Sequence, residues 1–415
     1  MSMDHPAIGR HDVVIIGGGP AGLAAAVELR RLGLRDVVVL EREQQAGGVA
    51  RHCGHIGFGW REFRRVLNGP AYARRLVAAA AGIEVRTGTT ALGLEANGRV
   101  RILTPEGIRI IEGRHVLLAL GTRETPRSAR LVSGTHAWGV FTTGALQQMV
   151  YLAGLKPCTR AVIVGSELVS FSSLLTLRHA GIQPVAMLEE SVRIVAPRPA
   201  AWIARGAFGT RILTDTKLIA VHGTGQVSSV EIERNGGREH IDCDGVIFSG
   251  RFVPEAAILR AGHLSIDPAT GGPIVDQFGR CSDPVFFAAG NLLRPVEASW
   301  TVWEEGRNVA RAIAASLGGR LPAATHFMTL EPLAPVRYVC PQKYAFPALI
   351  APALPLNIRV HRAVRGRLRV MNGANEVWGE ARHLRPERRV IVSFVVPEVE
   401  AVTPLTIQFE ESLPD

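Results

Sequence analysis

"DVVIIGGGPAGLAAAVELRRLGLRDVVVLERE", residues 12–43, decides the fold. An apolar strand over Val13–Ile16 runs into Gly17-x-Gly19-x-x-Gly22, then a helical stretch, then a second apolar strand over Val37–Leu40 ending on Glu41. Gly17 permits a tight turn, Gly19 lets backbone approach a pyrophosphate, and Gly22 lets helix and strand pack closely. The helix that begins at Pro20-Ala21 turns the positive end of its dipole toward the phosphates. Glu41, 19 residues past Gly22 with Arg42 beside it, is placed to accept hydrogen bonds from ribose hydroxyls, and its charge disfavours a 2′-phosphate. The spacing predicts a dinucleotide site. A glycine-rich turn that only packs is the bland alternative.

A second stretch, "RAVIVGSELVSFSSLLTLRHAG" (residues 160–181), repeats this plan with parts missing. A strand over Ala161–Val164 leads through Gly165-Ser166, but Glu167 and Ser170 stand where the second and third glycines belong. A carboxylate at the helix start answers the dipole and repels a pyrophosphate, which predicts a poor NAD(P)H site. Two readings stay open. One is a retained scaffold whose Glu167 caps its own helix. The other is a different nucleotide near Gly165 and Ser166, with Glu189 or Glu190 on its ribose and Arg251 or Arg178 on its phosphates.

Composition narrows the classes. The 415 residues, 47% hydrophobic, suffice for two or three domains with substantial cores. The net charge of +10 comes from scattered arginines with no basic run of five, so it favours acidic cofactors or an acidic partner over nucleic acid. The five cysteines form no C-x-x-C, which excludes a local redox dithiol or zinc ribbon, and no metal is expected. No Ser-His-Asp elbow or H-E-x-x-H is present, which disfavours hydrolases. No window reaches about 18 apolar residues and no signal-peptide pattern opens the chain, so a chain that does not span a membrane and a cytoplasmic setting are expected.

Two further segments bear on which dinucleotide is held. "HVLLALGTRETPR" (115–127) is a strand entering a Gly121-Thr122 turn, and "VFFAAGN" (285–291) is a strand over Val285–Ala289 closing on Gly290-Asn291. Both resemble the later flavin-contact motifs of flavoproteins with two dinucleotide-binding domains, whose FAD domain is discontinuous. That resemblance implies FAD held by Gly17, Gly19, Pro20, Ala21, Gly22, Glu41, Arg42, Gly48, Gly121, Gly290 and Asn291. Such proteins usually carry Asp where Asn291 stands, although an amide also accepts a ribitol hydroxyl. "AGGVARHCGHIGFGW" (46–60) follows where these proteins bring the chain past the isoalloxazine ring, and its His52, Cys53 and His55 are candidate catalytic groups. A loop that packs the ring's edge is the alternative.

The expected fold is α/β, with two Rossmann-like domains and a small β module. The expected boundaries are 1–128 with 266–322 for FAD, 129–265 for the degenerate nucleotide domain, and 323–415 for the β module. Asn372-Gly373 signals a hairpin in that module. The apolar, proline-rich stretch at 344–358 reads as a buried linker into the module.

The stretches "GGVARHCGHIGFGWREFRRVLNGPAYARRL", "LGTRETPRSARLVSG", "VGSELVSFSSLLTLRHAGIQPVAM" and "DQFGRCSDPVFFAAGNLLRPVE" resemble the nucleotide-binding alpha subunits of heteromeric FAD-dependent amine and imino-acid dehydrogenases, a family with hydrogen cyanide synthase, opine oxidase and proline or hydroxyproline dehydrogenase members. The resemblance covers about residues 10–320. It implies that the partner is a catalytic beta flavoprotein subunit, with electron relay through this chain's FAD. It also leaves room for FMN or an iron–sulfur cluster on or shared with partner subunits. Many such alpha subunits carry a cysteine-rich C-terminal cluster domain. Here the module holds only Cys340, so a cluster would sit on a small separate chain. The alternatives are a free-standing NAD(P)H-dependent flavin oxidoreductase and a non-catalytic flavin-holding assembly subunit.

Overall fold

The first strand of the computed structural model, Ala7–Ile16, is central in its sheet, and its Val13, Val14, Ile15 and Ile16 are buried on both faces. The structure describes residues 7–196, 206, 208–321, 323–346, 354–386, 388–396 and 403–412. The strand begins earlier than expected, with a register shift between Ala7 and Arg10. It pairs in parallel with Val37–Leu40 on one side and Gly107–Leu118 on the other. Near-continuous apolar runs are what a parallel sheet covered on both faces requires.

The chain divides into two compact units, Met1–Gly48 with Arg75–Thr122 and Pro254–Asp415, and Val49–Arg74 with Arg123–Val253. In the first unit the seven-stranded sheet runs Glu84–Arg86, Val37–Leu40, Ala7–Ile16, Gly107–Leu118, Arg99–Thr104 and Thr90–Glu95, with Phe286–Ala288 also pairing in parallel against Gly107–Leu118. That pairing joins segments some 170 residues apart in sequence, so the domain is discontinuous. The strand is Phe286–Ala288, one residue shorter at each end than expected.

One face of this sheet is covered by two helices, Pro20–Arg31 and Ser299–Leu317. The first starts with Pro at its first position and ends at Leu32, with Gly33 in the left-handed region at φ +92°. The two helices approach so closely at Gly306 that a Cβ there would lie 2.2 Å from the Ala21 carbonyl oxygen. Buried Glu28 bridges them, accepting from Arg307 Nε at 3.0 Å and Arg311 Nε at 2.8 Å, as well as from Arg31 on its own helix.

The C-terminal module, part of the same unit, has a five-stranded and a three-stranded sheet whose inner faces share one apolar core with Leu330, Leu356, Ile358, Leu368, Val392 and Ile407. The Asn372-Gly373 signal lies at a hairpin between Val364–Asn372 and Asn375–Leu384. The stretch read as a buried linker is instead strand at both ends, Lys343–Phe346 and Leu354–Val360, because pairing satisfies peptide groups that a buried linker would strand; residues 347–353 lie outside the described residues. Gln277 clasps the module from outside it, donating to the Ala345 carbonyl and accepting from the Ala345 N–H at 2.8 Å.

The second unit has its own five-stranded parallel sheet, ordered Val140–Thr142, Gly245–Phe248, Arg160–Val164, Gln183–Leu188 and Arg211–Leu213, with helices Thr143–Tyr151 and Leu168–His179. A separate four-stranded sheet contains the antiparallel strands Thr216–Thr224, Gln226–Arg234 and Gly237–Asp242. Both units are therefore Rossmann-like, and the fold is α/β with an added β module.

Candidate functional site

The glycine turn of the first unit is shaped by backbone contact. Gly17 has φ +111°, and a Cβ there would lie 2.3 Å from the Ala119 carbonyl oxygen; at Gly22 it would lie 1.9 Å from the Gly17 carbonyl oxygen. Those positions admit no side chain. Gly19 differs, because a Cβ there would meet only the Gly48 Cα at 3.8 Å among the described residues. Gly19 is the N-cap of helix Pro20–Arg31, whose first turn carries no acid, so no carboxylate of the helix itself answers its positive end. Glu41 is 6% exposed and is held by two backbone donors, Gly18 N–H at 3.0 Å and Glu43 N–H at 2.9 Å. Its remaining lone pairs can still accept. Arg42 is exposed beside Glu43, and Gly47 N–H donates to the Gly18 carbonyl at 2.7 Å, which brings Gly48 onto Gly19.

The later motifs fall in the same unit. Gly121, at φ +71°, faces open space, and its carbonyl accepts from Glu255 N–H at 3.0 Å. A Cβ on Gly290 would come within 3.0 Å of the Ala21 Cβ, so the Gly290-Asn291 turn lies against the first turn of the first helix. Gly290 N–H donates to Glu305 Oε2 at 2.7 Å, and Asn291 Oδ1 accepts from Glu297 N–H at 2.7 Å. All eleven residues that the resemblance assigns to FAD thus belong to one unit. The open Gly19, a helix start with no acid in its first turn and the fixed Glu41 carboxylate fit the pyrophosphate and ribose of an adenine dinucleotide. Sequence reading missed Glu305, Glu297 and Arg294. The signal for them was slight: two isolated charges, Arg294 and Glu297, shortly after an apolar strand and turn, and the Glu304-Glu305 pair beyond them.

The turn of the second unit copies the first in backbone and alters it in side chains. Gly165 has φ +117°, close to that of Gly17. Glu189 ends the second strand as Glu41 does, and its carboxylate accepts from Ser166 Oγ and from Ser191 N–H at 2.9 Å. The chain then folds back, with Ala196 N–H on the Ser166 carbonyl and Val195 N–H on Ser166 Oγ, both at 2.9 Å. Ser170, fully buried, donates to Ser249 Oγ at 2.9 Å.

Glu167 corrects an expectation. It occupies the N-cap position, but its side chain makes no capping bond to its own helix among the described residues. Its Oε1 instead accepts the Arg251 N–H at 3.2 Å, because Gly250 brings that strand end close: a Cβ on Gly250 would lie 2.3 Å from the Glu167 carboxyl carbon. Burial raises the Glu167 pKa above the usual carboxylate value, against the pull of the Arg251 N–H and of Arg130. Arg251 pairs with Glu190 at 2.7 Å, and Arg178 lies over the Phe208 ring. The cations that were candidates for phosphate thus have protein partners.

His52, Cys53 and His55 belong to the second unit. His52 is buried, and desolvation, then Arg51, lowers its pKa to about 4. Cys53 donates to the Val49 carbonyl at 3.3 Å, and burial pushes its pKa up to about 12, with Glu124 adding to the rise. His55 Nδ1 lies 3.0 Å from the Ile56 carbonyl and its ring stands against Phe58. His52 and Cys53 are therefore held neutral. All five cysteines are free thiols, and no cluster of three or more metal-ligand side chains occurs among the described residues. Among those residues no helix is long and apolar enough to cross a membrane.

Fold and turns together define a flavoprotein oxidoreductase with two Rossmann-like domains. Residues 11–315 match the family described as pyridine nucleotide-disulphide oxidoreductase; the chain belongs to that family and is an FAD-dependent oxidoreductase. It is similar to an opine oxidase subunit of Agrobacterium tumefaciens (strain Ach5), 24% identical over 77% of this chain and 66% of the relative. The corresponding opine oxidase subunit of Rhizobium meliloti is 25% identical, over 86% of this chain and 68% of the relative. The chain thus spans about two thirds of the length of these relatives. Thioredoxin reductase of T. acidophilum shares the fold at a TM-score of 0.64 and 20% identity, over 74% of this chain and 99% of that structure.

Proposed function

We propose that this chain is the FAD-binding alpha subunit of a heteromeric dehydrogenase that oxidises an amine, amino acid or imino acid of the proline, hydroxyproline or opine kind. A catalytic beta flavoprotein subunit is its partner, and a small iron–sulfur subunit is a further one. The chain relays electrons from that partner to an acceptor. The observation that carries the reading is the second turn: Glu167 sits at the helix start where a nicotinamide dinucleotide would place its pyrophosphate, and Ser166, Glu189, Glu190 and Arg251 are engaged with one another or with the turn. A chain that does not take hydride from NAD(P)H needs another source of electrons. Its likeness to the two opine oxidase subunits supports a partner as that source.

In this reading Gly17, Gly19, Gly22, Glu41 and Gly121 hold the ADP half of FAD, Pro20, Ala21 and Arg42 complete that cofactor site, Gly48 lies on the stretch that passes the flavin ring, and Gly290 and Asn291 lie near the ribityl and pyrophosphate. FAD, when bound, supplies the two-electron to one-electron chemistry, and the protein supplies orientation and electrostatics. The five cysteines form no C-x-x-C motif of the kind that serves as a dithiol in disulphide reduction.

A second reading rests on Glu189, which keeps the strand-end position of Glu41 and therefore a ribose acceptor. It makes the chain a free-standing NAD(P)H-dependent flavin oxidoreductase. Anaerobic titration of the purified chain with NADH and NADPH, following flavin absorbance, separates the two. Flavin that stays oxidised yet bleaches with dithionite is the expected result. Rapid bleaching by either nucleotide sinks the first reading.

A further inference from the structure

The Gly290-Asn291 turn is followed by a loop, 292–298, whose geometry is costly by itself. Val296 has φ +72°, a conformation that a β-branched residue adopts only where its surroundings over-determine it. The surroundings come from the C-terminal module. Arg359, on strand Leu354–Val360, donates from Nη2 to the Val296 carbonyl at 3.4 Å. Arg389, just before strand Val390–Phe394, places Nη1 3.3 Å from Glu297 Oε2, and Arg359 Nη2 lies 3.9 Å from Glu297 Oε1.

The Glu297 side chain is 4% exposed, and the residue's backbone is joined to the turn twice: its N–H donates to Asn291 Oδ1 and its carbonyl accepts from Asn291 Nδ2. The other end of the turn is tied in the same manner. Gly290 N–H donates to Glu305, and Glu305 pairs with the buried Arg294 at 2.8 Å. One end of the turn therefore rests on the Glu305 carboxylate and the other on the Glu297 backbone, and the carboxylates of both residues face arginine.

Arg294 does not hold Glu297 by itself. Its Nε and Glu297 Oε1 are 3.5 Å apart, and both atoms are buried without a hydrogen-bond partner among the described residues. A buried carboxylate in that state depends on further positive charge, and removing one partner leaves it under-compensated. Arg359 and Arg389 supply that charge from the module.

From this chain of contacts we infer that Arg359 and Arg389 are positioning residues for the cofactor: acting through Glu297 and Asn291, they hold the Gly290-Asn291 turn in the form that binds FAD. The C-terminal module is thereby part of the flavin site without touching the flavin. The inference rests on the placement of that turn against FAD given above.

The test is titration of FAD into the apo chain, followed by flavin fluorescence, together with hydrogen exchange of residues 288–298 in the apo state. Arg389→Met should weaken FAD binding about tenfold, the scale seen when an outer partner of a binding group is lost. It should also raise exchange in 288–298, and Arg389→Lys should recover most of both. A merely structural role lowers melting temperature without moving FAD affinity, and that outcome overturns the inference. If Arg389→Met does not fold, Arg359→Met removes the other module charge beside Glu297 together with the bond to Val296; unchanged affinity there overturns it equally. Gly19→Glu run in parallel separates the failures. Loss of FAD from Gly19→Glu with normal binding by Arg389→Met removes this inference alone, whereas normal binding by Gly19→Glu removes the placement beneath it.

Discussion

The Glu167 carboxylate accepts the backbone N–H of Arg251 at 3.2 Å, and the Arg251 side chain turns away to Glu190 at 2.7 Å. One residue at the helix start is thus linked to a neighbouring strand end through backbone, and the cation that could have answered a phosphate is engaged elsewhere. Removing the charge should free the helix's positive end without rebuilding the rest of the site. Glu167→Gln is expected to tighten NADH binding by only about two- to fivefold, the scale of one charge at a helix terminus. Equilibrium titration by protein fluorescence measures it; a gain of a hundredfold or more would show that Glu167 alone closes the domain.

Gly19 and Gly22 should behave in opposite ways. A side chain at Gly19 has room, with only the Gly48 Cα at 3.8 Å among the described residues, so Gly19→Glu should fold and melt near wild type while losing bound flavin. At Gly22 even a methyl group meets the Gly17 carbonyl oxygen at 1.9 Å, so Gly22→Ala should cost about 1–3 kcal/mol of stability. Melting curves and the flavin-to-protein absorbance ratio of the two purified variants distinguish these outcomes.

Glu28 makes the first unit acid-sensitive. Arg31 foremost, then Arg311 and Arg307, outweigh the cost of burial and lower its pKa to about 2. With the folded value depressed, the stabilisation is present above the ordinary carboxylate value and is lost as pH falls through about 2. A shift of this size corresponds to about 3 kcal/mol, reduced to about 2 because the arginines reach partly into solvent. Glu28→Gln should lose that amount at neutral pH and show a flatter decline in acid. Urea unfolding at a series of pH values reads both.

The histidine and thiol near the start of the second unit should be chemically silent. With Cys53 pushed up to about 12, iodoacetamide at pH 8 should leave it unmodified in the native chain and label it after unfolding, as read by mass spectrometry. His52, lowered to about 4, stays neutral in the fold while the unfolded chain protonates it, so it withdraws stability as pH falls from about 6.5 toward 4. His52→Gln should remove that acid-side slope and leave flavin affinity between pH 6 and 8 unchanged. Rapid native labelling of Cys53 would reopen its case as a nucleophile.

The residues that were legible in sequence are those whose function lies in local geometry. Gly17 and Gly22 are demanded by backbone contacts within one strand–turn–helix unit, and the acid at the end of strand Val37–Leu40 follows from the length of the intervening helix. Glu167 was legible as a misplaced charge, but its partner was not. The Arg251 N–H lies 84 residues away, and no periodicity announces it. Glu305 and Arg294 are 11 residues apart, and they meet because the chain after the Gly290-Asn291 turn doubles back along helix Ser299–Leu317, which no periodicity announces. The proline-rich stretch failed for another reason: a proline near the start of a strand, as Pro355 is in Leu354–Val360, reads like linker until the pairing partners are known.

The discontinuity of the first unit sets an order of events during synthesis. The glycine turn and Glu41 leave the ribosome early, but the strand Phe286–Ala288, the helix carrying Glu305 and the arginines at 359 and 389 follow hundreds of residues later. Between them the nascent chain must carry an entire second unit with one edge of its first sheet still waiting. A growing chain of this design has its glycine turn long before the strand and helix that pack against it, so the first unit is complete only near the end of translation.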